Sequence, residues 1–297
     1  MLALVTAEVA APLDPDLGPL ATALRARLGD GAVEVAAWDD DAVDWARFDA
    51  AAIRSTWDYT DRLDEFLEWV ERAGAATTLL NPAAAVRWSS DKRYLADLEA
   101  EGIAITPTTF VAPGDEPPRV EGLHVVKPTV GAGSNGARRC EPDEVADHVA
   151  LLASQGRTSM VQPYLTELDG AGETCSCFVR RDGTWHRTHS FAKAAILTST
   201  DVEREGDLFA KEQITPREPA DADVALALAT LETAAVGELG DLAFARVDTA
   251  PLAGPDGATS PVVMELELIE PSFFFDTCPG AVDDLADVLA RRVGVGR

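Results

Sequence analysis

The chain has 297 residues, with 51 acidic against 25 basic residues and a formal net charge of −26. A surface this negative repels phosphate backbones and anionic headgroups, which excludes nucleic acids and membrane surfaces as expected partners. A content of 46% hydrophobic and 26% charged residues is typical of a folded globular protein.

The first eighty residues alternate apolar runs with helical patterns. We predict strands at residues 1–7, 33–38 and 49–55, helices at 17–28 and 65–73, and a segment at 77–81 that leads out to a turn at Asn81-Pro82. Strands that alternate with helices favour a small parallel sheet covered by helices. A further helix is expected at 90–100, where Gly102 ends it.

A proline-rich stretch at 113–118 precedes a region with a different pattern. We predict strands at 123–130 and 160–165 with a helix at 142–154 between them, followed by strands at 174–181, 185–191, 242–249 and 262–270 and a helix at 220–239. Short turns between several of these strands favour an antiparallel sheet. The predicted fold class is α+β, with three lobes.

Residues 131–136 read Gly-Ala-Gly-Ser-Asn-Gly, which fits the GxGxxG pattern of dinucleotide-binding loops. Such a site needs a helix that begins inside the loop, but the next predicted helix begins only at Pro142. A Walker A loop is excluded because Ala-Arg follows the glycines instead of Lys and then Ser or Thr. Two interpretations remain: a flap whose backbone at Gly131, Gly133 and Ser134 wraps phosphate oxygens, or a plain hairpin turn.

Two acids in an otherwise apolar strand, Glu265 and Glu267, share one face because successive strand residues point to opposite faces. The preceding strand places Arg246 and Asp248 on one face in the same way. If the loop between the strands closes a hairpin, the three acids converge, and oxygen ligands without His or Cys suit Mg²⁺. The alternative is an exposed strand face with Arg246 in a surface salt bridge; the aromatic run at 273–275 favours burial.

The order of these features resembles that of the ATP-grasp enzymes, and the resemblance covers most of the chain. It rests on the following segments: Ser90-Asp-Lys92, Val126-Lys127-Pro128, the flap 131–137, Met160-Val-Gln162-Pro-Tyr164-Leu165, Gly172-Glu173, Arg246-x-Asp248 and Glu265-x-Glu267. The resemblance implies an ATP-grasp fold with a small parallel α/β N-terminal substrate domain at 1–85, a central lid domain at 86–165 and a C-terminal antiparallel-sheet domain at 166–297. It also implies ATP and Mg²⁺ as cofactors.

The resemblance further implies roles for individual residues. Lys92 and Lys127 would contact the ATP phosphates, Glu173 would bind the ribose hydroxyls, and adenine would be bound by the backbone of Gln162, Tyr164 and Leu165. Mg²⁺ would be held by Asp248, Glu265 and Glu267, while Arg246 would face the transferred phosphoryl group. The family usually has Glu-x-Asn where this chain has Glu265-x-Glu267, and a third acid can still bind Mg²⁺.

Other segments resemble a narrower group, the cyclo-ligases that form the antibiotic D-cycloserine. They are Arg54-Ser-Thr-Trp57-Asp58-Tyr59, Asn81-Pro82, Val86-Arg87-Trp88 and Glu270-Pro271-Ser272; the group's Arg-Trp-Asn is Arg87-Trp88-Ser89 here. ATP-grasp chemistry implies that ATP phosphorylates a carboxylate and that an amine then displaces phosphate. The narrower resemblance implies O-ureido-D-serine as the substrate, whose own aminooxy nitrogen closes the ring.

Two alternatives stay open beside this cyclo-ligase. One is an intermolecular carboxylate–amine ligase of the dipeptide type with an unknown amino-acid substrate. The other is a catalytically silent ATP-binding regulator on the same scaffold. The intact set of Lys92, Lys127, Asp248 and Glu265 argues against a silent protein, because burying these charges without using them costs free energy.

The substrate end is predicted at the carboxyl edge of the parallel sheet, where α/β sheets open a ligand crevice. Arg54 is expected to bind a carboxylate there, and Asp14 and Asp16 to bind an ammonium group or to form a solvated loop. The same crevice is expected to involve Ser55, Trp57, Asp58 and Tyr59. In the last lobe, Lys193 is predicted as a further phosphate contact, and His189 as a general base or a hydrogen-bonded core histidine.

The first basic residue is Arg25 and no apolar run approaches 18 residues, so neither a secretory signal nor a membrane span is predicted. The cysteines are too few and unevenly spaced for a disulfide framework, and Cys175 and Cys177 are expected to be small buried hydrophobes. We expect a cytoplasmic protein with a small amino-acid-like substrate, and the sequence leaves a homo-oligomer open.

Lysine is scarce in this chain. Only four of the 25 basic residues are lysines, at positions 92, 127, 193 and 211, and the other 21 are arginines. A lineage that uses arginine elsewhere should retain lysine mainly where a compact, flexible ammonium group is required. Lys211 has no role that the sequence assigns.

Overall fold

The structure is a computed structural model that describes residues 1–197 and 212–293, together with the backbone of two short strands at 204–205 and 209–210. Lys211 lies outside the described residues. Across the part of the chain that is described, every helix is too short or too polar to cross a bilayer.

The N-terminal lobe contains the predicted parallel sheet. Its strands are β1 (Leu2–Thr6), β2 (Val33–Ala37), β3 (Ala50–Ser55) and β4 (Thr78–Leu80), in the order β2-β1-β3-β4. Helices α1 (Leu17–Leu28) and α2 (Leu63–Ala76) pack on opposite faces, and 3₁₀ turns lie at 11–13, 30–32, 45–47 and 57–61. β1 is continuously apolar because Leu2 and Leu4 pack on the α1 side and Ala3 and Val5 on the α2 side.

The helix predicted at 90–100 is α4 (Tyr94–Ala100), which begins four residues later, and a helix that was not predicted, α3 (Ala83–Ser89), precedes it. In the turn between them, the backbone N–H of Lys92 donates to the carbonyl of Thr129 at 2.8 Å. The interruption therefore ties the lysine to the strand end that precedes the glycine flap.

Both helices pack against the C-terminal sheet, through residues such as Ala85, Tyr94 and Leu98. The chain leaves this sheet only after Ile105, whose backbone bridges to Val263. The lid therefore begins about twenty residues later than the predicted boundary at residue 86, because the apolar faces of α3 and α4 belong to another core.

The lid is a four-stranded antiparallel sheet with its own small, valine-rich core. Its strands are β5 (Thr109–Val111), β6 (His124–Pro128), β7 (Arg138–Cys140) and β8 (Ser159–Pro163), in the order β5-β8-β6-β7. Helix α5 (Val145–Ser154) packs on the sheet and begins three residues after the predicted Pro142. β5 and β7 were not predicted, because three residues are too few to show strand alternation.

The C-terminal lobe is the predicted antiparallel sheet. Its strands are β9 (Glu173–Arg181), β10 (Thr184–Lys193), β13 (Ile214–Pro216), β14 (Phe244–Ala253) and β15 (Thr259–Glu267), in the order β13-β10-β9-β14-β15; β11 (Arg204–Glu205) and β12 (Phe209–Ala210) pair separately. The helices are α6 (Leu168–Ala171), α7 (Asp221–Leu231), α8 (Ala234–Gly237) and α9 (Ala281–Arg292), with a 3₁₀ turn at 275–277. The single helix predicted at 220–239 is thus two helices, α7 and α8, and α9 is a helix that was not predicted.

One hydrophobic core joins the first and last lobes. It contains Leu2 and Leu4 of β1, helices α1 and α9, and the β9 residues Cys175 and Cys177, which are buried as predicted. Asn81 strengthens this junction, since its amide nitrogen donates to the Phe244 carbonyl at 2.9 Å and its oxygen accepts from the Ala243 N–H at 2.7 Å. The two lobes therefore form one body, and the lid joins it through Met160 of β8 and Phe110 of β5, which pack into the core of the C-terminal lobe.

Gly172, which precedes β9, provides a test of how tightly the ends of β9 and β10 are packed. Its φ is +65°, and an added Cβ would lie 2.6 Å from the carbonyl oxygen of Lys193. We expect Gly172→Ala to lower the free energy of unfolding by about 2–4 kcal/mol, because a left-handed backbone strain adds to a backbone clash.

The matched control is Gly156→Ala, where φ is +74° but no atom lies within 4 Å. This variant should lose only the conformational part, about 1–2 kcal/mol. Chemical denaturation measures both values, and equal losses would contradict the close approach at Gly172.

Candidate active site

A cavity of about 520 Å³ lies between the lid and the C-terminal sheet and extends to loops of the N-terminal lobe. Its volume is in the range of small-molecule sites. The cavity wall brings together thirteen of the residues predicted for catalysis, ATP or metal binding: Lys92, Lys127, Gly131, Gly133, Ser134, Gln162, Tyr164, Leu165, Glu173, Lys193, Arg246, Glu265 and Glu267. Asp248 is fully buried among them.

The predicted hairpin is present, since β14 and β15 pair with Asp248 opposite Glu265 and Arg246 opposite Glu267. Oxygens of the three acids lie within 4.8 Å of one another. Arg246 donates to both oxygens of Asp248, at 2.8 and 2.9 Å, and also to Glu267. Because Arg246 is only 4% exposed, the alternative of a surface salt bridge on an exposed face is wrong.

The three acids differ in their ionisation. Burial opposes the charge of Asp248, but Arg246 and Lys193 outweigh it and hold the pKa of Asp248 well below its usual range. Lysines hold the pKa of Glu265 below its ordinary value in the same way, whereas burial and the neighbouring acids raise the pKa of Glu267 to about 7. The cluster is an oxygen-only donor set, which fits Mg²⁺.

Lys92 connects the flap to the carboxylate cluster. Its Nζ lies 3.0 Å from Oε1 of Glu265 and donates to the carbonyl of Gly131. Lys127 lines the same wall, and burial together with Lys92 lowers the pKa of Lys127 although Glu265 opposes this. An anion such as a phosphate group would relieve the repulsion between these two ammonium groups.

Lys193 ends β10 and bridges two acids. Its Nζ lies 2.8 Å from Oε2 of Glu173 and 3.3 Å from Oδ2 of Asp248. Burial opposes its charge, but the two acids outweigh it and raise the pKa of Lys193 well above its ordinary value. Glu173, which was predicted to bind the ribose, is therefore held in an ion pair with Lys193, which was predicted to contact phosphate.

The glycine flap is the loop of the β6–β7 hairpin, so the loop is a hairpin connection and also lines the cavity. Its backbone is left-handed at Gly133, Ser134 and Gly136, with φ of 54°, 60° and 75°. The Gly136 carbonyl lies 2.9 Å from Nε2 of His148, which ties the end of the loop to α5. This anchoring leaves the loop tip over the cavity.

The segment that leaves the lid, 162–165, forms another part of the wall. Gln162 is buried and donates to the Thr108 hydroxyl at 2.8 Å, while the Tyr164 hydroxyl donates to Asp169. These contacts fix the backbone of the segment that the sequence assigned to adenine.

Two of the aromatic residues predicted for the substrate, Trp57 and Tyr59, line the cavity. Ser55 and Asp58 do not. Ser55 is fully buried and shares a hydrogen bond with Thr6, and Asp58 accepts from the indole of Trp38. The alternation of a strand followed by a 3₁₀ turn directs these two polar side chains into the lobe.

Three charged residues predicted to bind the substrate lie outside the cavity wall and hydrogen-bond within the protein, although Nε and Nη1 of Arg54 have no hydrogen-bond partner among the described residues. Arg54 is 1% exposed and donates from Nη2 to the Pro271 carbonyl at 2.7 Å. The buried carboxylate of Asp16 accepts the backbone N–H groups of residues 273, 274 and 275, at 2.7, 2.8 and 2.9 Å. Asp14 accepts the Asp16 N–H at 2.8 Å and does not line the cavity, so the substrate interpretation of all three is corrected.

His189 is a hydrogen-bonded core histidine, and the general-base alternative is wrong. Its Nε2 lies 2.6 Å from the Phe273 carbonyl and its Nδ1 lies 2.9 Å from the Thr188 hydroxyl. Burial lowers the pKa of His189, and the ring is not part of the cavity wall.

Arg54, His189, Asp16 and Arg246 all hold the backbone of a short segment, 270–275. Arg246 completes the set by donating from Nη1 to the Ser272 carbonyl at 2.9 Å. The segment also contains a left-handed non-glycine residue, Phe274, with φ of 47°. Such a conformation costs about 1–2 kcal/mol, which the three hydrogen bonds to the Asp16 carboxylate offset.

Side chains along the 270–275 segment alternate. Glu270, Ser272 and Phe274 line the cavity, whereas the three residues between and after them are buried in the core. Burial and the neighbouring Glu267 raise the pKa of Glu270 to about 8. Sequence reasoning missed Glu270 and Ser272 as site residues, although an acid directly after the apolar pair 268–269 was an available signal.

Comparisons with known proteins agree with this geometry. A family model described as "D-cycloserine synthetase DcsG, N-terminal domain" matches residues 2–81. The cycloserine biosynthesis protein DcsG of Streptomyces lavendulae is 38% identical over 309 residues, which cover 99% of each chain. The crystal structure of D-cycloserine synthetase DcsG matches with a TM-score of 0.83 at 37% identity, covering 98% of this chain and 99% of that one.

A more distant structure shares the fold alone. The ATP-grasp ligase PsnB, solved with a precursor variant, Mg and ADP, matches with a TM-score of 0.56 at 18% identity and covers 98% of both chains. The predicted fold class is thereby confirmed, and a neighbour of this fold binds a nucleotide and Mg.

Asp16→Asn tests whether the Asp16 carboxylate holds the 270–275 segment. The substitution removes one acceptor oxygen and brings an amide donor against three backbone N–H groups. We expect the free energy of unfolding to fall by about 2–3 kcal/mol, measured by chemical denaturation. Asp276→Asn, at an exposed acid in the same stretch, should change it by less than about 0.5 kcal/mol. If the two variants were equally stable, the segment would not depend on Asp16.

Proposed function

The chain belongs to the D-cycloserine synthetase family of ATP-grasp ligases, and from this premise we propose that it closes O-ureido-D-serine to D-cycloserine with ATP and Mg²⁺. One observation of the site carries the proposal. Three lysines and Arg246 face three converging acids in a single cavity, which is the charge arrangement that phosphoryl transfer to a carboxylate needs.

Each end of this arrangement has its own role. Lys92, Lys127 and Lys193 would hold the phosphates of ATP, and Asp248, Glu265 and Glu267 would hold Mg²⁺. The ion supplies charge neutralisation to the phosphates when it is bound. Arg246, fixed by Asp248 and Glu267, presents its guanidinium beside the transferred group, and the ammonium groups stabilise the charge that develops there.

The substrate then reacts in three steps. Its carboxylate takes the terminal phosphoryl group of ATP, which releases ADP and leaves an acyl phosphate. The nitrogen bonded to the side-chain oxygen attacks the acyl carbon, a C–N bond forms, and phosphate leaves. The carbamoyl group on that nitrogen is lost with one water as carbon dioxide and ammonia, so the atoms balance with one ATP consumed per ring.

The glycine flap and Lys92 have a protective role in this scheme. An acyl phosphate hydrolyses if water reaches it, and a dry cavity also strengthens the interactions of the lysines with phosphate. The hydrogen bond from Lys92 to the Gly131 carbonyl draws the flap toward the carboxylate cluster. The flap would therefore cover the intermediate from the lid side.

Phosphate release measured with single substrates tests the proposal. We expect release from ATP with O-ureido-D-serine alone, and stoichiometric D-cycloserine by mass spectrometry. Release that required a second amine would replace the cyclo-ligase with an intermolecular ligase. If ATP and Mg²⁺ bound but no amino acid stimulated release, the protein would be a nucleotide-binding regulator.

Glu265→Gln tests the metal assignment. Removing this charge should lower kcat by at least about 100-fold at saturating Mg²⁺, because a carboxamide holds the ion weakly. Glu267→Asn is the comparison, since it installs the Glu-x-Asn pattern usual in the family and keeps an oxygen ligand; its kcat should stay within about 10-fold of the parent. Near-normal turnover by Glu265→Gln, with unchanged thermal unfolding, would contradict the assignment.

A further inference from the structure

The acids of the cavity differ in how their charge is compensated. Asp248 and Glu267 pair with Arg246, Glu265 pairs with Lys92, and Glu173 pairs with Lys193. Glu270 is 8% exposed, yet among the residues that the structure describes its carboxylate has neither a hydrogen bond nor an ion pair. Burial without a partner favours the protonated form of Glu270, in line with its raised pKa, and a cationic ligand would offset the cost of ionising it.

The backbone around Glu270 is fixed before any ligand arrives. Four buried side chains, Arg54, Arg246, His189 and Asp16, hold residues 271–275 through six hydrogen bonds to the backbone. Holding this segment with four buried polar side chains costs free energy, because each side chain must give up hydration. The arrangement is the supporting structure that a binding site needs to keep its ligand-facing groups in place.

The chemistry of the wall beside Glu270 selects for a cation. Ser272 adds a hydroxyl that can accept a hydrogen bond, and three aromatic side chains, Trp57, Tyr59 and Phe274, line the same cavity. An ammonium group carries only donors and a positive charge, so it satisfies a carboxylate and a hydroxyl together and is favoured near aromatic faces. A second carboxylate would add to the charge of Glu265, Glu267 and Glu270.

We propose that Glu270, with Ser272, binds the α-ammonium group of the amino-acid substrate. This assignment rests on the proposed function, in which the substrate is an α-amino acid. The ammonium and carboxylate groups of such a substrate are attached to the same carbon. Glu270 shares the cavity wall with Lys92 and Glu267, whose charges act on its carboxyl group, so a substrate held by Glu270 would present its carboxylate toward the phosphate end of the cavity. The ammonium group takes no part in ring closure, so Glu270 could bind it in both the substrate and the product.

Glu270→Gln tests the proposal with two substrates. One is O-ureido-D-serine, and the other is 3-(ureidooxy)propanoic acid, which lacks only the α-amino group. The parent enzyme should prefer the amino acid by at least about 100-fold in kcat/KM. In Glu270→Gln the KM for O-ureido-D-serine should rise at least about 10-fold, the KM for ATP should stay unchanged, and the preference should fall below about 5-fold.

Glu238→Gln is the matched control, because Glu238 is an exposed acid outside the cavity. It should retain the parent's KM values and its preference, and thermal unfolding of both variants verifies the fold. A Glu270→Gln enzyme that kept the preference for the amino acid would overturn the proposal. So would a loss in kcat alone, which would make Glu270 a proton acceptor for ring closure.

A second measurement separates this proposal from the proposed function. D-serine carries the same ammonium and carboxylate, and 3-hydroxypropanoate lacks the amine; calorimetry measures both in the presence of Mg²⁺ and a non-hydrolysable ATP analogue. If the parent did not cyclise O-ureido-D-serine but bound D-serine through Glu270, the subsite would stand and the function would fail. If the parent bound neither compound, or if Glu270→Gln bound D-serine as tightly as the parent, the subsite would be refuted.

Discussion

The guanidinium of Arg246 is the group on which both ends of the cavity depend. It is almost fully buried on a central strand of the C-terminal sheet, and it joins the metal-binding acids to the Ser272 carbonyl. Without this cation, Asp248 would be a carboxylate with no solvent exposure and only Lys193 to compensate it, a loss that costs several kcal/mol in buried pairs. One side chain therefore fixes where phosphate chemistry meets the amino-acid end of the substrate.

The metal end could be predicted from the sequence because its geometry is local. Strand periodicity put Glu265 and Glu267 on one face, and a single hairpin was enough to bring Asp248 beside them. The lysines followed from a resemblance in order along the chain. Helix α9 could also have been predicted, because its apolar residues repeat at helical spacing. The break between α3 and α4 could not, because the turn there is held by a hydrogen bond from Lys92 to the distant Thr129.

The substrate end was harder because residue type and strand position do not say which partner satisfies a buried charge. Arg54 and Asp16 lie where a ligand crevice opens, but each finds backbone partners more than 200 residues away in the chain. The sequence does not show whether a buried arginine such as Arg54 binds a backbone carbonyl or a substrate carboxylate. The sequence left two roles open for His189 for the same reason. In the structure both of its ring nitrogens have hydrogen-bond partners within the protein, which identifies it as a core histidine. The scarcity of lysine, by contrast, predicted that the retained lysines have specific roles, and Lys92, Lys127 and Lys193 all line the cavity.

The separate core of the lid has a consequence for how the protein opens. Its seven buried apolar residues form a core distinct from the one shared by the first and last lobes, whereas Met160 of β8 and Phe110 of β5 pack into the core of the C-terminal lobe. The part of the lid outside this contact, β6, β7 and α5, can open as a local event at a lower free energy than global unfolding. Hydrogen exchange at β6 and β7 would then be fast while exchange at β1 and β9 stays slow. A lineage could tune nucleotide residence time through lid residues without affecting the lifetime of the folded enzyme.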